Sequence, residues 1–218
     1  MRRWFGSLRG IPPAAATHGP MLFDGAQHHS EPADAVMVAW ESRAVELGAR
    51  RIPAAPAIAT LQALWARDRH MARLGAQDVA RLERFLQFVR VEAGRTVIRQ
   101  HELGNFMVVL VQGEIAVDRR QPWGEQLRLA ESRPGDILGE MSLLDSGPRF
   151  SACTTLSDCE IAALPADGLD DMMRSDPHLA AALIALLARK LSVRLRAVNA
   201  RVSDRPNQEG PHGTRPGQ

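Results

Sequence analysis

No apolar run in this sequence approaches the eighteen or more residues that a helical membrane span needs. The longest, "LAAALIALLA" at 179–188, has the length of a buried helix. An excess of charge of one sign is lacking too: 27 Lys and Arg stand against 25 Asp and Glu, a formal net charge of +2. With 45% hydrophobic residues, the chain is neither a disordered acidic tail nor a basic polymer, and most of it is expected to fold around a core. Cysteine is scarce. Cys153 and Cys159 form no C-x-x-C, and there is no second pair for a zinc site. Both lie in apolar, strand-like context, where a free thiol behaves as a small hydrophobe; reduced, buried thiols are expected rather than a disulfide. The opening "MRRWFGSLRGIPPAAATHGP" has the positive start of a signal peptide, but Arg9, Gly10 and two prolines break its apolar stretch. A cytoplasmic protein is therefore expected, with no membrane partner.

At 218 residues the chain has room for one ordinary domain with extensions, or for two small domains. Residues 1–32, rich in Pro, Gly, Ala and His, read as a disordered extension. Residues 33–77 read as a helical arm or linker. In "ADAVMVAWESRAVELG", Val36, Trp40, Ala44 and Leu47 recur at helical steps and Gly48 supplies the stop. Pro53 and Pro56 then separate it from a second helical stretch, "TLQALWARDRHMARLG". From Asp78 the pattern sharpens. "DVARLERFLQFV" puts Val79, Leu82, Phe85, Leu86 and Val89 on one helix face, with Asp78 as N-cap.

Short β-type runs follow at even spacing: "RTVIRQ", "FMVVLVQ", "EIAVDRR", "EQLRLAES", "FSACTTL" and "CEIAALP". Glycines 94, 104, 113, 124, 135 and 147 stand between them as turn residues. Such spacing predicts a small antiparallel roll or barrel. The βαβ alternation of a Rossmann fold is missing. "ADGLDDMMRSD" then predicts a short helix ending at Pro177, and Pro177 suits the first turn of a long one. On that long helix Leu187, Leu191, Leu195, Val198 and Val202 form one stripe. Leu179, Leu183, Leu186 and Val193 form its neighbour. A stripe this wide is expected to face the roll with one half and a second copy with the other, giving a homodimer through 177–202. Packing of the whole stripe onto the chain's own N-terminal helices is the alternative.

The chemistry sits in "LGEMSLLDSGPRFSAC", residues 138–153. Glu140 and Arg149 make a poor acid–base pair, because Arg does not release its proton near neutrality. No nucleophile or base lies nearby; His101 and His178 are isolated. A plain salt bridge remains, and so does a ligand carrying both hydroxyls and a phosphate. A carboxylate accepts from hydroxyls, and a guanidinium forks onto phosphate oxygens. Gly139 permits close backbone approach, and a short helix over "GEMSLLD" offers free N–H groups.

Residues 78–200 resemble the cyclic nucleotide-binding domain family, of the catabolite activator protein (Crp–Fnr) type and of protein kinase regulatory subunits. The likeness is carried by the order helix, roll, two helices, and by the phosphate-binding cassette. The family's F-G-E-[LM]-[AS]-L, a turn, then P-R-[AS]-A is matched here by "LGEMSLL-DSG-PRFSA". "VEAGRTVIRQ" and "NFMVVLVQGEIAV" add support. The resemblance implies an α+β fold: a jelly-roll-like antiparallel β-roll flanked by N-terminal helices and a long C-terminal dimerisation helix. It implies that Glu140 accepts the ribose 2′-hydroxyl and that Arg149 pairs with the cyclic phosphate. Gly139, the N–H groups of Met141 or Ser142, and those around Phe150 and Ser151 would complete the ligand-binding set. Cyclic AMP is the ligand expected first, cyclic GMP second.

Two departures stand out. Phe150 replaces the usual Ala or Ser, so its ring either narrows the pocket or folds into the roll; His101 stands at a turn where the family commonly has Gly. Among Arg189, Lys190, Ser192 and Arg194 no adenine reader can be assigned.

The domain assignment that follows is 78–202 for the sensor and 203–218 for a disordered tail. The polar "SDRPNQEGPHGTRPGQ" leaves no room for the helix-turn-helix of the transcription-factor branch. The basic run of Arg189, Lys190, Arg194, Arg196, Arg201 and Arg205, with Asp204 the only acid, suits a helix C-terminus as well as a phosphate backbone, and DNA binding is not expected. No metal, resident cofactor, catalytic residue or enzyme activity is expected. The expected function is a regulatory sensor that signals to an unidentified protein partner by movement of its C-terminal helices. Two alternatives stand: a non-liganded scaffold of the same fold, and a DNA-associated regulator lacking its own helix-turn-helix.

Overall fold

The computed structural model describes residues 37–203, with side chains described over 37–200. The extension expected over 1–32, Val36, Asp204, Arg205 and the rest of the expected tail lie outside the described residues, as do the side chains of Arg201 and Val202. In chain order the elements are α1 (Trp40–Leu47), β1 (Arg50–Arg51), α2 (Ala54–Arg67), α3 (Ala76–Leu82) and β2 (Gln87–Val91). The roll continues through β3 (Thr96–Ile98), β4 (Phe106–Gln112), β5 (Ile115–Arg120), β6 (Gln126–Ser132) and β7 (Ile137–Leu138). After α4 (Glu140–Asp145) come β8 (Ala152–Thr155), β9 (Cys159–Pro165), α5 (Ala166–Ser175) and α6 (Pro177–Ser203).

One sheet has the order β1-β2-β9-β4-β7, the other β3-β8-β5-β6. Every ladder is antiparallel. The fold is thus the expected α+β roll with flanking helices. β4 shows why its run "FMVVLV" lacks any polar residue: both of its faces are covered. Met107, Val109 and Val111 point into a core shared with α2, α3, α5 and α6, whereas Phe106, Val108 and Leu110 point between the sheets. Alternating faces of a pleated strand thus feed two cores, and a polar residue would be stranded in either.

Three local readings are corrected. The helix expected over 78–89 spans Ala76–Leu82, continues as one 3-10 turn over Glu83–Phe85, and stops. Asp78 is not its N-cap; it sits one turn in and accepts from the N–H of Gly75, the actual N-cap, at 3.1 Å. Leu86 and Val89 leave the helix, and Val89 pairs with Ile161 in β2–β9. Finally, α2 begins at Ala54, before the expected start, with Pro53 as N-cap and Pro56 in the first turn. A proline there sacrifices no intrahelical bond, so Pro56 does not break the helix. In α1, by contrast, Gly48 is the stop as read, donating to the carbonyls of Ala44 and Val45.

The segment read as an arm does not stand apart from the roll over its described part. Trp40 and Leu47 of α1 lie in the inter-sheet core, and Ile58, Leu61 and Trp65 of α2 lie in the outer one. The Trp65 indole donates to the Gly135 carbonyl at 2.9 Å, fastening α2 to the turn before β7. On α6, Leu179, Leu183, Leu186 and Leu187 are buried, while Val193, Leu195 and Val198 are exposed. The described residues therefore cover only the first half of the stripe.

Candidate ligand site

The stretch from β7 to β8 is built around a buried cation. Gly139 takes a left-handed conformation (φ 79) between β7 and the six-residue α4, so the chain turns sharply and delivers Glu140 at the first helical position. A second left-handed residue, Ser146 (φ 56), ends α4 and starts the descent to Arg149. The other side of the site comes from the β3–β4 loop. The N–H of Arg149 donates to the Glu102 carbonyl at 2.9 Å, and that of His101 to the Arg149 carbonyl at 2.8 Å. His101 makes this pairing at φ 67, in the conformation that glycine adopts more easily.

Arg149 is 2% exposed. Its Nη1 donates to the Gly139 carbonyl at 2.8 Å and its Nη2 to the Phe106 carbonyl at 2.7 Å. The guanidinium carbon lies 4.5 Å from the centre of the Phe106 ring, and Trp40 meets that ring edge-on at 5.2 Å. Two glycines make the space, since a Cβ on Gly104 or Gly139 would fall 2.8 Å and 2.6 Å from its terminal nitrogens. The Nε has no partner. Burial pulls the guanidinium's pKa down to about 10, the neighbouring charge of Arg43 works in the same direction and those of Glu102 and Glu140 partly offset both, so the group stays protonated at neutral pH. The same burial pushes the Cys153 thiol up to about 12.

Glu140 and Arg149 do not bond to each other, so the plain salt bridge between them is not what the structure contains. Only 6% of the Glu140 side chain is exposed, and its Oε1 accepts from Nη1 of Arg194 on α6 at 2.8 Å. Ser142 is buried beside it, and Met141 faces outward. The first N–H groups of so short a helix have no partner within it. The Phe150 ring does not fold into the roll: it is 54% exposed, with the Arg119 guanidinium over it at 3.8 Å. Ser151, half-buried, follows it into β8.

Sequence reasoning missed several contributors. The carbonyl of Phe106, the ring stack with Trp40, and the buried Arg43, which ion-pairs with Glu102 beneath the loop, carry no local motif. Arg194 stands in the sequence only as one of several polar and basic residues on a long helix. A surface cavity of about 710 Å³ is lined by Gln100, His101, Asp118, Arg119 and Ala152 among others, and neither Glu140 nor Arg149 lines it. The buried charge is the better guide, because Asp118 in that cavity is already paired with Arg128.

The architecture is thus a β-roll with a short helix, a buried arginine and a C-terminal helix that reaches the cassette through Arg194. Residues 88–176 match the cyclic nucleotide-binding domain family. Among curated proteins, a CRP-like cAMP-activated global transcriptional regulator of Mycobacterium tuberculosis is 32% identical over 126 residues, 58% of this chain and 54% of that one. The chain spans about half the length of the curated relatives it matches first. Among solved structures, a cyclic nucleotide-binding domain from Methylobacillus flagellatus superposes with a TM-score of 0.62 at 21% identity, covering 73% of this chain and 88% of that one, a likeness of fold. The Thermus thermophilus catabolite activator protein gives a TM-score of 0.53 at 30% identity, covering 60% of this chain and 59% of that one.

Proposed function

We propose that this protein is a regulatory sensor that binds a cyclic nucleotide, cyclic AMP in first place, in the cassette between β7 and β8. Arg149 takes the cyclic phosphate, and Glu140 takes the ribose 2′-hydroxyl. The N–H groups of Met141 or Ser142 and of Phe150 and Ser151 add donors, with Gly139 keeping the approach open. The observation that carries this reading is the guanidinium of Arg149, buried and protonated, with a partnerless Nε. Each terminal nitrogen donates to one carbonyl, but among the described residues no carboxylate bonds to the guanidinium, and a monoanion supplies the missing charge. Two relatives, the cAMP-activated regulator of Mycobacterium tuberculosis and a cyclic AMP receptor protein of Thermus thermophilus that is 35% identical over 98 residues, support the choice of ligand.

Signalling then runs through α6, which touches the site at Arg194 and offers an uncovered apolar half to a second copy of the chain. A ligand shifts that helix by no more than its differential affinity for the two positions. The output goes to a protein partner in the cytoplasm, with no catalysis by this chain.

Calorimetry with cyclic AMP and cyclic GMP, on wild type and Arg149→Ala, tests the site. Binding is expected in the wild type and a loss of at least about a hundredfold in the variant, as for removal of a buried charge partner. Wild-type heat that persists in the variant sinks the assignment.

One observation favours the rival reading of a non-liganded scaffold: both charges already have protein partners, Glu140 in Arg194 and Arg149 in two carbonyls. The thermal midpoint separates the two readings, since a ligand that binds only the native state raises it. A midpoint unmoved by millimolar cyclic AMP or cyclic GMP favours the scaffold.

A further inference from the structure

The helix α1 lies well before the residues that match the family, yet it and the residues leading into it grip the surroundings of Arg149 at three points. The N–H of Val38 donates to the Leu103 carbonyl at 2.8 Å. Trp40, fully buried, meets the Phe106 ring edge-on, and Phe106 gives Arg149 both a carbonyl and a ring face. Arg43, also fully buried, donates from Nη2 to both carboxylate oxygens of Glu102. The main-chain carbonyl of Glu102 in turn accepts from the Arg149 N–H. All three grips land on residues 102–106, the stretch that holds Arg149 in place.

The charges lock the helix to that stretch. Glu46 accepts from Nη1 of Arg43 at 2.6 Å and also pairs with Arg99, and Arg99 lies 3.8 Å from Glu102. Two residues of α1 and two that follow β3 thus close a ring of alternating charge. Arg43 is out of water, and a buried guanidinium without its carboxylate is costly, so the docking of α1 and the position of Glu102 depend on each other. We propose that α1 is a positioning element of the nucleotide site: through Arg43 and Trp40 it fixes the backbone and ring that hold Arg149, so that nucleotide binding and the docking of α1 strengthen one another. The inference rests on the binding reading of the cassette and adds to it a helix from outside the matched residues. A site keeps its affinity only while its supports hold it to within a fraction of an ångström. By linkage the coupling runs both ways: whatever draws α1 away weakens nucleotide binding, and the nucleotide fastens α1.

Arg43→Met keeps an apolar stem and removes the charge. Its affinity for cyclic AMP, read by calorimetry, is expected to fall about tenfold, within the usual range for coupled sites. Leu61→Ala, in the outer core, is the comparison for lost stability. It is expected to lower the thermal midpoint and leave the affinity unchanged. Wild-type affinity in Arg43→Met overturns the proposal. Equal affinity losses in the two variants do so as well, because the loss then follows stability alone. Hydrogen exchange on the wild type reads the coupling without a mutation, and it decides the matter where Arg43→Met does not fold. Saturating cyclic AMP is expected to slow the amides of α1 by about the same tenfold, since the ligand disfavours the undocked helix. Amides of α1 that keep their rate while those of α4 slow overturn the coupling and leave the site reading standing. A wild type that binds neither cyclic AMP nor cyclic GMP overturns the site reading together with it.

Discussion

Gly139 and Gly94 have almost the same backbone angle, φ 79 and φ 77, in opposite surroundings. A Cβ on Gly94 would meet nothing within 4 Å, whereas one on Gly139 would fall 2.6 Å from Nη1 of Arg149 and 2.8 Å from Cδ1 of Ile98. Each Gly→Ala change carries the left-handed cost of about 1–2 kcal/mol. Gly139→Ala adds the cost of overpacking, about 1–3 kcal/mol, because the atoms in the way are a buried cation and a core methyl. Urea unfolding of the two variants is expected to separate them by that second amount, with Gly139→Ala also weakening cyclic AMP binding. Equal losses would mean that Arg149 moves aside freely, against the packing described. The residues of this site that the sequence displays best, Gly139, Glu140 and Arg149, are those whose spacing is fixed by one continuous turn–helix–turn. Phe106, Trp40 and Arg194 reach the site only through the folded roll. A backbone carbonyl as partner leaves no mark on residue type, and an arginine on a long helix looks the same whether it faces water or a carboxylate.

At the level of elements, the strands from β4 to β6 and β8 to β9 could be read from their alternation and turns, and α5 and α6 from their helical spacing and Pro177. β2 could not. Leu86 and Val89 continue the helical spacing of Val79, Leu82 and Phe85, so local pattern favours a longer helix. The pairing of Gln87–Val91 with β9 decides otherwise, and that partner lies some seventy residues away. The junction of α5 and α6 is held by a side chain that neither helix pattern announces. Asp176 is both the end of α5 and the N-cap of α6: its carboxylate accepts from the N–H of Leu179 at 3.3 Å. It also pairs with Arg81 of α3 at 3.2 Å and with Arg84 of the following turn at 3.3 Å. Asp176→Ala removes the cap and the two pairs together, while both arginines, about half exposed, rehydrate. The expected loss is about 1–2 kcal/mol in urea unfolding, most of it from the cap. Arg84→Ala is expected to cost less than about 0.5 kcal/mol. If the two variants lose the same amount, the ion pairs rather than the cap hold the junction.

At the scale of the molecule, α6 divides into a half covered and a half left uncovered by the described residues. Leu179, Leu183, Leu186 and Leu187 are spent on the chain's own core. Beyond Lys190 the same helical face runs on as Leu191, Leu195 and Val198, with the last two exposed. A single exposed leucine means little, but an apolar row at steps of four and three is the seam of a helix pair. The Arg194–Glu140 contact brings α4 alongside, where Met141 and Leu144 are also exposed. A second copy related by a two-fold axis along α6 would cover both sets, and flanking arginines would stay in water as such seams allow. Sedimentation at about 100 micromolar is therefore expected to give twice the chain mass for wild type, and one chain mass for Leu195→Glu combined with Val198→Glu. The double variant should keep its helical circular dichroism and its cassette, since neither side chain belongs to a core cluster. A wild type that sediments as one chain would leave the far half of α6 without a like partner, and the signal from the cassette would then have to leave through a different protein docking on that same row.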